Sequence, residues 1–286
     1  MLILFLGVGL AWFAVFRFFP YAHTQLPAFI TILVLYAAFA YVFIPALFRM
    51  AKAFDKSNHI PRYAITPDGW PSDPVNIAVI TSGREQLISS MERAGWFVAD
   101  EATPRSNFRA LYAMILNLPY PEAPFSPLYL FGRPFDIGFE KPANPQQSPR
   151  SRHHVRFWRL ELPDDDEHTH HFHFWHRKLR HLLSGEKEVW IGAAIEDTSL
   201  FGIRWRSGTL THQISVDTDA ERDLIISDLS ASHQVRTVDV ISSGEPFSFR
   251  GQTIGRGGPL ICDGTLCVVE LRGRIKAAVL GRLPKI

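Results

Sequence analysis

Cysteine is nearly absent. The chain has two in 286 residues, Cys262 and Cys267, too few for the disulfide framework of a small secreted fold. The pair flanks Asp-Gly-Thr-Leu, a spacing unlike a zinc knuckle, and reads as two reduced core thiols. Strong net charge is missing as well: 30 basic against 28 acidic side chains leave +2, too little to make nucleic acid a default partner. Two catalytic signatures are also lacking. Gly255-Arg-Gly-Gly258 has neither the lysine nor the following helix of a phosphate loop, and no Gly-x-Ser-x-Gly nucleophile elbow occurs.

What is present begins with apolar runs. Residues 1–16 carry no charge, and residues 26–48 form a second uncharged run of 23. A membrane helix needs roughly 20 predominantly apolar residues, so the two runs predict a transmembrane helical hairpin over 1–50, turning at Pro20–Gln25. A cleaved signal peptide is the competing reading of the first run. It would need a basic start and small residues before the cut, whereas this run ends in Arg17-Phe18-Phe19-Pro20. Arg49, Lys52, Lys56 and Arg62 follow the second run, so the positive-inside rule places the soluble part in the cytoplasm.

Residues 51–74 read as a linker punctuated by Pro61, Pro67, Pro71 and Pro74, and residues 75–286 as one mixed α+β domain richer in strand than in helix. Val75–Ile80 is a compact apolar strand. Ser82 and Glu85 form a capping box for a helix that Gly95 stops, and Trp96–Ala99 returns as a strand. Residues 102–150 resist assignment, apart from short strands at Tyr129–Phe131 and Ile137–Phe139. His153–Leu162, Glu188–Ile195 and Val235–Ser242 read as strands and 219–230 as a helix. Leu260–Leu271 reads as a hairpin turning at Asp263-Gly264.

Two polar stretches carry the candidate chemistry. In an extended Arg152–Trp158, alternate residues share a face, which puts Arg152, His154 and Arg156 together and His153, Val155 and Phe157 opposite. Guanidinium groups bind oxyanions with paired hydrogen bonds, so this row suits a phosphate or carboxylate, with His154 as a candidate general acid or base. The competing reading is a solvated sheet face whose arginines pair with the acids at 217–223. In the second stretch, Thr218 and Glu221 fit a capping box. His212, Asp217 and Arg222 are left as further ligand-binding candidates, with His212 a second candidate acid or base. A histidine with carboxylates could hold a divalent metal, but the His212-to-Asp217 gap is not a diagnostic spacing, and no metal or cofactor is assigned. The His-rich run Asp164–His176 carries Phe172, Trp175, Leu179 and Leu182 at helical spacing, which favours an amphipathic helix over a metal site.

Taken together, Leu130-Phe-Gly-Arg-Pro134, Arg152-His-His-Val-Arg-Phe-Trp158, Trp190-Ile-Gly-Ala-Ala194, Thr211-His212 and Asp219-Ala-Glu-Arg-Asp223 make the chain resemble the LssY C-terminal domain family of bacterial membrane-associated proteins, over about 70–275. The resemblance implies a bacterial inner-membrane setting and no established activity. Gln213 stands where that family commonly has a second histidine, and Ser215 where it commonly has an acid. The leading expectation is a membrane-anchored domain that binds an anionic, phosphate-bearing ligand. Membrane lipids, and another membrane protein, are the partners expected. The alternatives are a metal-assisted phosphoester hydrolase and a non-catalytic scaffold for another membrane protein.

Overall fold

A computed structural model describes residues 12–25, 27–44, 62–67, 71–160, 187–204, 210–242, 247–250, 253–254 and 259–272, with Gly9, Ala46, Gly69 and Trp175 besides; over 199–213 and 242–259 only the backbone is described. The His-rich run, Trp175 apart, and the Gly255–Gly258 segment therefore lie outside the described residues.

At the N-terminus a π-helical turn (Ala14–Phe18) leads into α1 (Phe19–Gln25), and α2 (Ala28–Ala38) leads into a second π-helical turn (Phe39–Phe43). Pro27 separates the two helices as the N-cap of α2. No helix among the described residues is long and apolar enough to cross a membrane. The expected transmembrane hairpin over 1–50 is therefore corrected. The physical reason is length. The eleven residues of α2 rise only about 16 Å at about 1.5 Å each, and a hydrocarbon core is about 30 Å thick. Adding the five π-helical residues after it still falls short of the roughly 20 required.

The remainder is α+β with mixed sheets. The segment expected as a linker already holds β1 (Tyr63–Ile65) and β2 (Pro71–Pro74). Next come β3 (Ile77–Thr81), α3 (Arg84–Arg93), β4 (Phe97–Val98) and α4 (Pro104–Leu116), then β5 (Tyr129–Leu130), β6 (Arg133–Pro134), β7 (Ile137–Pro142) and β8 (Arg152–Arg159). The chain continues through β9 (Glu188–Arg204), β10 (Leu210–Ile214), α5 (Thr218–Ala231) and β11 (Val235–Ser242). It ends in β12 (Phe247–Arg250), β13 (Thr253–Ile254), β14 (Pro259–Cys262) and β15 (Thr265–Leu271).

The large sheet runs β11-β15-β3-β9-β8-β7-β4, with β10 and β13 also pairing β9. Within it β15 and β3 are parallel, while the other pairs are antiparallel. The expected cysteine hairpin forms its turn but not its pairing. β14 joins β12 in a separate ribbon, and β15 pairs β11 and β3. Cys262 and Cys267 are buried free thiols.

Both faces of the large sheet are covered, which explains why its central strands are apolar at nearly every position. On one face Ile77, Val79, Val155 and Phe157 pack against Leu87 and Met91 of α3 and Ile225 and Leu229 of α5. On the other, Ala78, Ile80, Trp158 and Ile191 pack against Ala64 of β1 and Leu128 and Leu130 around β5. The four-stranded sheet β2-β1-β5-β6 thus lies over the face opposite the helices. Gly192 of β9 allows the tight contact at the centre, since a Cβ there would stand 2.5 Å from Ile77 and 2.6 Å from Phe157.

Two helix starts differ from expectation. α3 is capped at Gly83 without a side-chain bond, and Ser82 instead donates its N–H to Gln86 Oε1. α5 is capped by Asp217, whose side chain accepts from the N–H groups of Asp219 and Ala220. Thr218 donates its hydroxyl to the Ile261 carbonyl instead, and Glu221 faces the sheet. α4 escaped the sequence pattern although it has a full capping box, Thr103 with Ser106.

Candidate functional site

The alternation of β8 is as the pleat requires. Arg152, His154 and Arg156 share one face, and His153 lies on the other. The three on the first face are buried, with 4%, 3% and 5% of their surface exposed. A buried charge is tolerated only when paired and hydrogen-bonded, and here the partners come from other strands. Arg152 donates to Glu140 Oε1 at 2.7 Å, to Asp197 Oδ2 at 3.1 Å and to the Ala123 carbonyl at 3.0 Å. Arg156 Nη1 donates to Asp73 Oδ2 at 2.5 Å. The His154 ring lies between Asp197, 3.5 Å from Nδ1, and Asp73, 3.9 Å from Nε2.

Sheet register delivers two of these carboxylates. Glu140 is directly opposite His154 on β7, one diagonal step from Arg152, and Asp197 is directly opposite Arg152 on β9. Asp73 arrives from β2 in the covering sheet. Phe125 closes the cluster. It stacks on His154 with centroids 5.1 Å apart, and the Arg156 guanidinium lies 4.5 Å from its ring centre. Gly138 gives the ring room, because a Cβ there would stand 2.2 Å from Phe125.

Two guanidinium groups thus share the space with three carboxylates and an imidazole. Burial pushes Glu140 up to about 8, against the lowering pull of Arg152. Burial lowers Arg156, with Asp73 opposing. The face expected to meet an external anion is therefore occupied by internal carboxylates. The competing expectation of pairing with the acids at 217–223 does not hold for Arg152 or Arg156 either, whose partners are Glu140, Asp197 and Asp73.

The remaining candidates lie elsewhere. His212 is in β10, and its side chain is outside the described residues. Asp217 caps α5. Arg222 is engaged by Asp219 at 3.1 Å, Asp223 at 2.9 Å, Asp263 at 3.1 Å and Thr265 at 2.8 Å. Burial opposes its charge, but Asp223 and Asp263 hold its pKa above the ordinary value.

The two polar stretches do meet, on the other face of the sheet and through residues that the sequence reading passed over. His153 Nδ1 is 2.8 Å from Glu221 Oε2, and Glu196 stands directly opposite His153 on β9. One potential ligand atom from each of His153, Glu196 and Glu221 lies within 4.8 Å of the others. The start of α5 is pinned over this point by the buried Asn76, whose amide donates to the Thr218 carbonyl at 2.8 Å and to the Ala194 carbonyl at 3.3 Å. A second group, Asp219, Cys262 and Asp263, has similar spacing. There, Arg222 already neutralises the acids, and burial pushes the Cys262 thiol up to about 11, away from the thiolate a metal needs.

Of the residues that build these sites, Asp73 carries no local signal between its prolines. Glu140 and Asp197 do carry one, being acids inside otherwise apolar strands.

A family model described as LssY C-terminus matches residues 57–266 of the chain. No curated protein matches the chain, and no solved structure matches it.

Proposed function

The chain belongs to the LssY C-terminus family, and from that premise we propose a non-catalytic docking domain that meets an anionic lipid surface through α4. The observation that carries this reading is the outward face of that helix. Phe108, Leu111, Tyr112, Ile115 and Leu116 follow helical spacing, and they are 71%, 45%, 53%, 55% and 50% exposed. The inward face is small instead: Ala110 and Ala113 pack on Tyr120 and Ala123. A helix that turns its large apolar side chains away from its own domain needs an external apolar phase.

Charge favours lipid as that phase. No acid occurs between Ala102 and Pro121, whereas Arg105 and Arg109 stand there, and each such cation near an anionic leaflet contributes about 1 kcal/mol. Half-burying five large apolar side chains adds on the order of 1 kcal/mol each. Arg150 secures the helix end by donating to the Met114 and Ile115 carbonyls at 2.7 and 2.8 Å. The anionic contact thus falls to Arg105 and Arg109, and the Arg152–His154–Arg156 cluster becomes the ionic core behind the docking face. No spanning helix is required.

Co-sedimentation of the full chain with phosphatidylglycerol vesicles, compared with phosphatidylcholine vesicles, tests the reading. The unaltered protein should favour the anionic vesicles, and Phe108→Ser/Ile115→Ser should weaken binding more than tenfold. Arg105→Gln/Arg109→Gln should remove the preference for anionic lipid. Equal pelleting by the serine variant and the unaltered protein would overturn the reading.

A further inference from the structure

We infer that His153, Glu196 and Glu221 form a divalent-cation site, separate from the docking face and from the arginine cluster. The three side chains come from three elements, β8, β9 and α5, and converge on the helix-covered face of the sheet. Their potential ligand atoms, one each, all lie within 4.8 Å of one another. Bonds of about 2.0–2.2 Å to a bound ion place cis ligand atoms roughly 3 Å apart. The 2.8 Å between His153 Nδ1 and Glu221 Oε2 already has that value.

The second, independent observation is Glu221 itself. It is only 3% exposed, and its Oε1 is buried with no hydrogen-bond partner among the described residues. A buried carboxylate oxygen without a partner is costly, and Glu221 is accordingly held above the usual carboxylate range by burial, with His153 pulling the other way. An ion that Glu221 binds through both carboxylate oxygens would satisfy Oε1 as well as Oε2.

Charge points the same way. Glu196 and Glu221 bring two negative charges, and the nearby cations are occupied elsewhere. Lys141, directly opposite His153 on β7, bonds Asp228 at 2.7 Å. Arg222, next to Glu221 in sequence, bonds Asp219, Asp223 and Asp263. One dication would neutralise the pair of carboxylates. One imidazole nitrogen with carboxylate oxygens and no thiolate selects a first-row divalent ion, with zinc or manganese ahead of calcium. Three protein ligands leave at least one coordination position for solvent, and the His153 side chain, 21% exposed, gives access to it.

Equilibrium dialysis of the full chain against zinc, read by elemental analysis, tests the inference. The histidines at 168, 170, 171, 173 and 176 are a competing binder, so the measurement uses a variant with all five replaced by glutamine. That variant should hold one equivalent of zinc per chain. Adding Glu221→Gln, or separately Glu196→Ala at the half-buried position, should weaken binding more than tenfold. Asp219→Asn should leave the equivalent in place. Circular dichroism of each variant separates a lost ligand from a lost fold. If the five-glutamine variant binds no zinc, or if folded Glu221→Gln and Glu196→Ala proteins bind it as tightly as their parent, the site does not exist and His153–Glu221 is a plain ion pair.

Discussion

Replacing Arg152 by methionine separates the two roles open to the arginine–histidine strand. A ligand-binding arginine facing outward can be removed with little effect on stability. Arg152 is instead 4% exposed, with Glu140 2.7 Å and Asp197 3.1 Å from its guanidinium and a backbone carbonyl at 3.0 Å. Methionine fills much of the volume but leaves buried carboxylates facing an apolar side chain. Breaking a buried pair from one side costs about 3–5 kcal/mol, a large share of a total stability of about 5–15 kcal/mol. With a urea m-value of about 2 kcal/mol/M, the midpoint should fall by about 2 M. The assay is urea unfolding followed by tryptophan fluorescence, with Trp158 and Trp190 in the core as reporters. Arg152→Met/Glu140→Gln should recover at least about 1 kcal/mol of the loss, because it removes one of the stranded acids. Arg152→Lys should fall between, keeping the charge but not the fork geometry. If Arg152→Met unfolds within about 0.5 kcal/mol of the unaltered protein, the arginine is not part of an ionic core and the ligand role returns.

Stability should also fall as pH rises. Glu140, raised by burial to about 8, and Glu221, raised by burial, bind protons more tightly folded than unfolded, so both destabilise once ionised. His153 is raised despite its burial because Glu221 holds the proton; its stabilisation is complete below the unfolded value and is lost as pH passes the folded one. His153 and Glu221 face each other at 2.8 Å and titrate as one coupled pair, so Glu140 sets the window, and the urea midpoint should decline from the ordinary carboxylate value of 4.5 to about 8. Glu140→Gln should flatten the part up to about 8; a midpoint that climbs over this range would contradict the assignment. Gly138→Ala should cost about 1–3 kcal/mol through overpacking, because its Cβ would meet Phe125 at 2.2 Å and that ring is held against His154 and Arg156. A thermal midpoint equal to that of the unaltered protein would show that the ring is free to move.

Much of the strand content was readable because pleating is local. Val75–Ile80, the start of β8 and the helix near 219–230 follow from period, turn residues and acids at a helix start. α4 was missed inside the unassigned stretch 102–150 although Phe108, Leu111, Tyr112 and Ile115 stand at helical spacing; what the sequence could not show is that this stripe faces outward. The capping box at Thr218 failed for a different reason. Asp217, one residue earlier, is an equally good cap, and packing against β8 drew Glu221 to His153. The N-terminal hairpin failed on length: composition counts apolar residues, whereas a spanning helix needs roughly 20 of them in one regular helix, and the described helix from Ala28 has eleven with five π-helical residues after it.

The sequence alone therefore determined which residues of β8 share a face, since alternation is a property of the extended backbone, and it determined the family. It could not determine what covers each face. The partners of Arg152 and Arg156 lie 12, 45 and 83 residues away, and only the register of β7 and β9 and the placement of β2 bring them into contact. Tertiary structure made the charged row an ionic core, because desolvated guanidinium groups require carboxylates at hydrogen-bond distance and the fold supplies them. It also moved the meeting point of the two polar stretches to the opposite face, at His153 and Glu221.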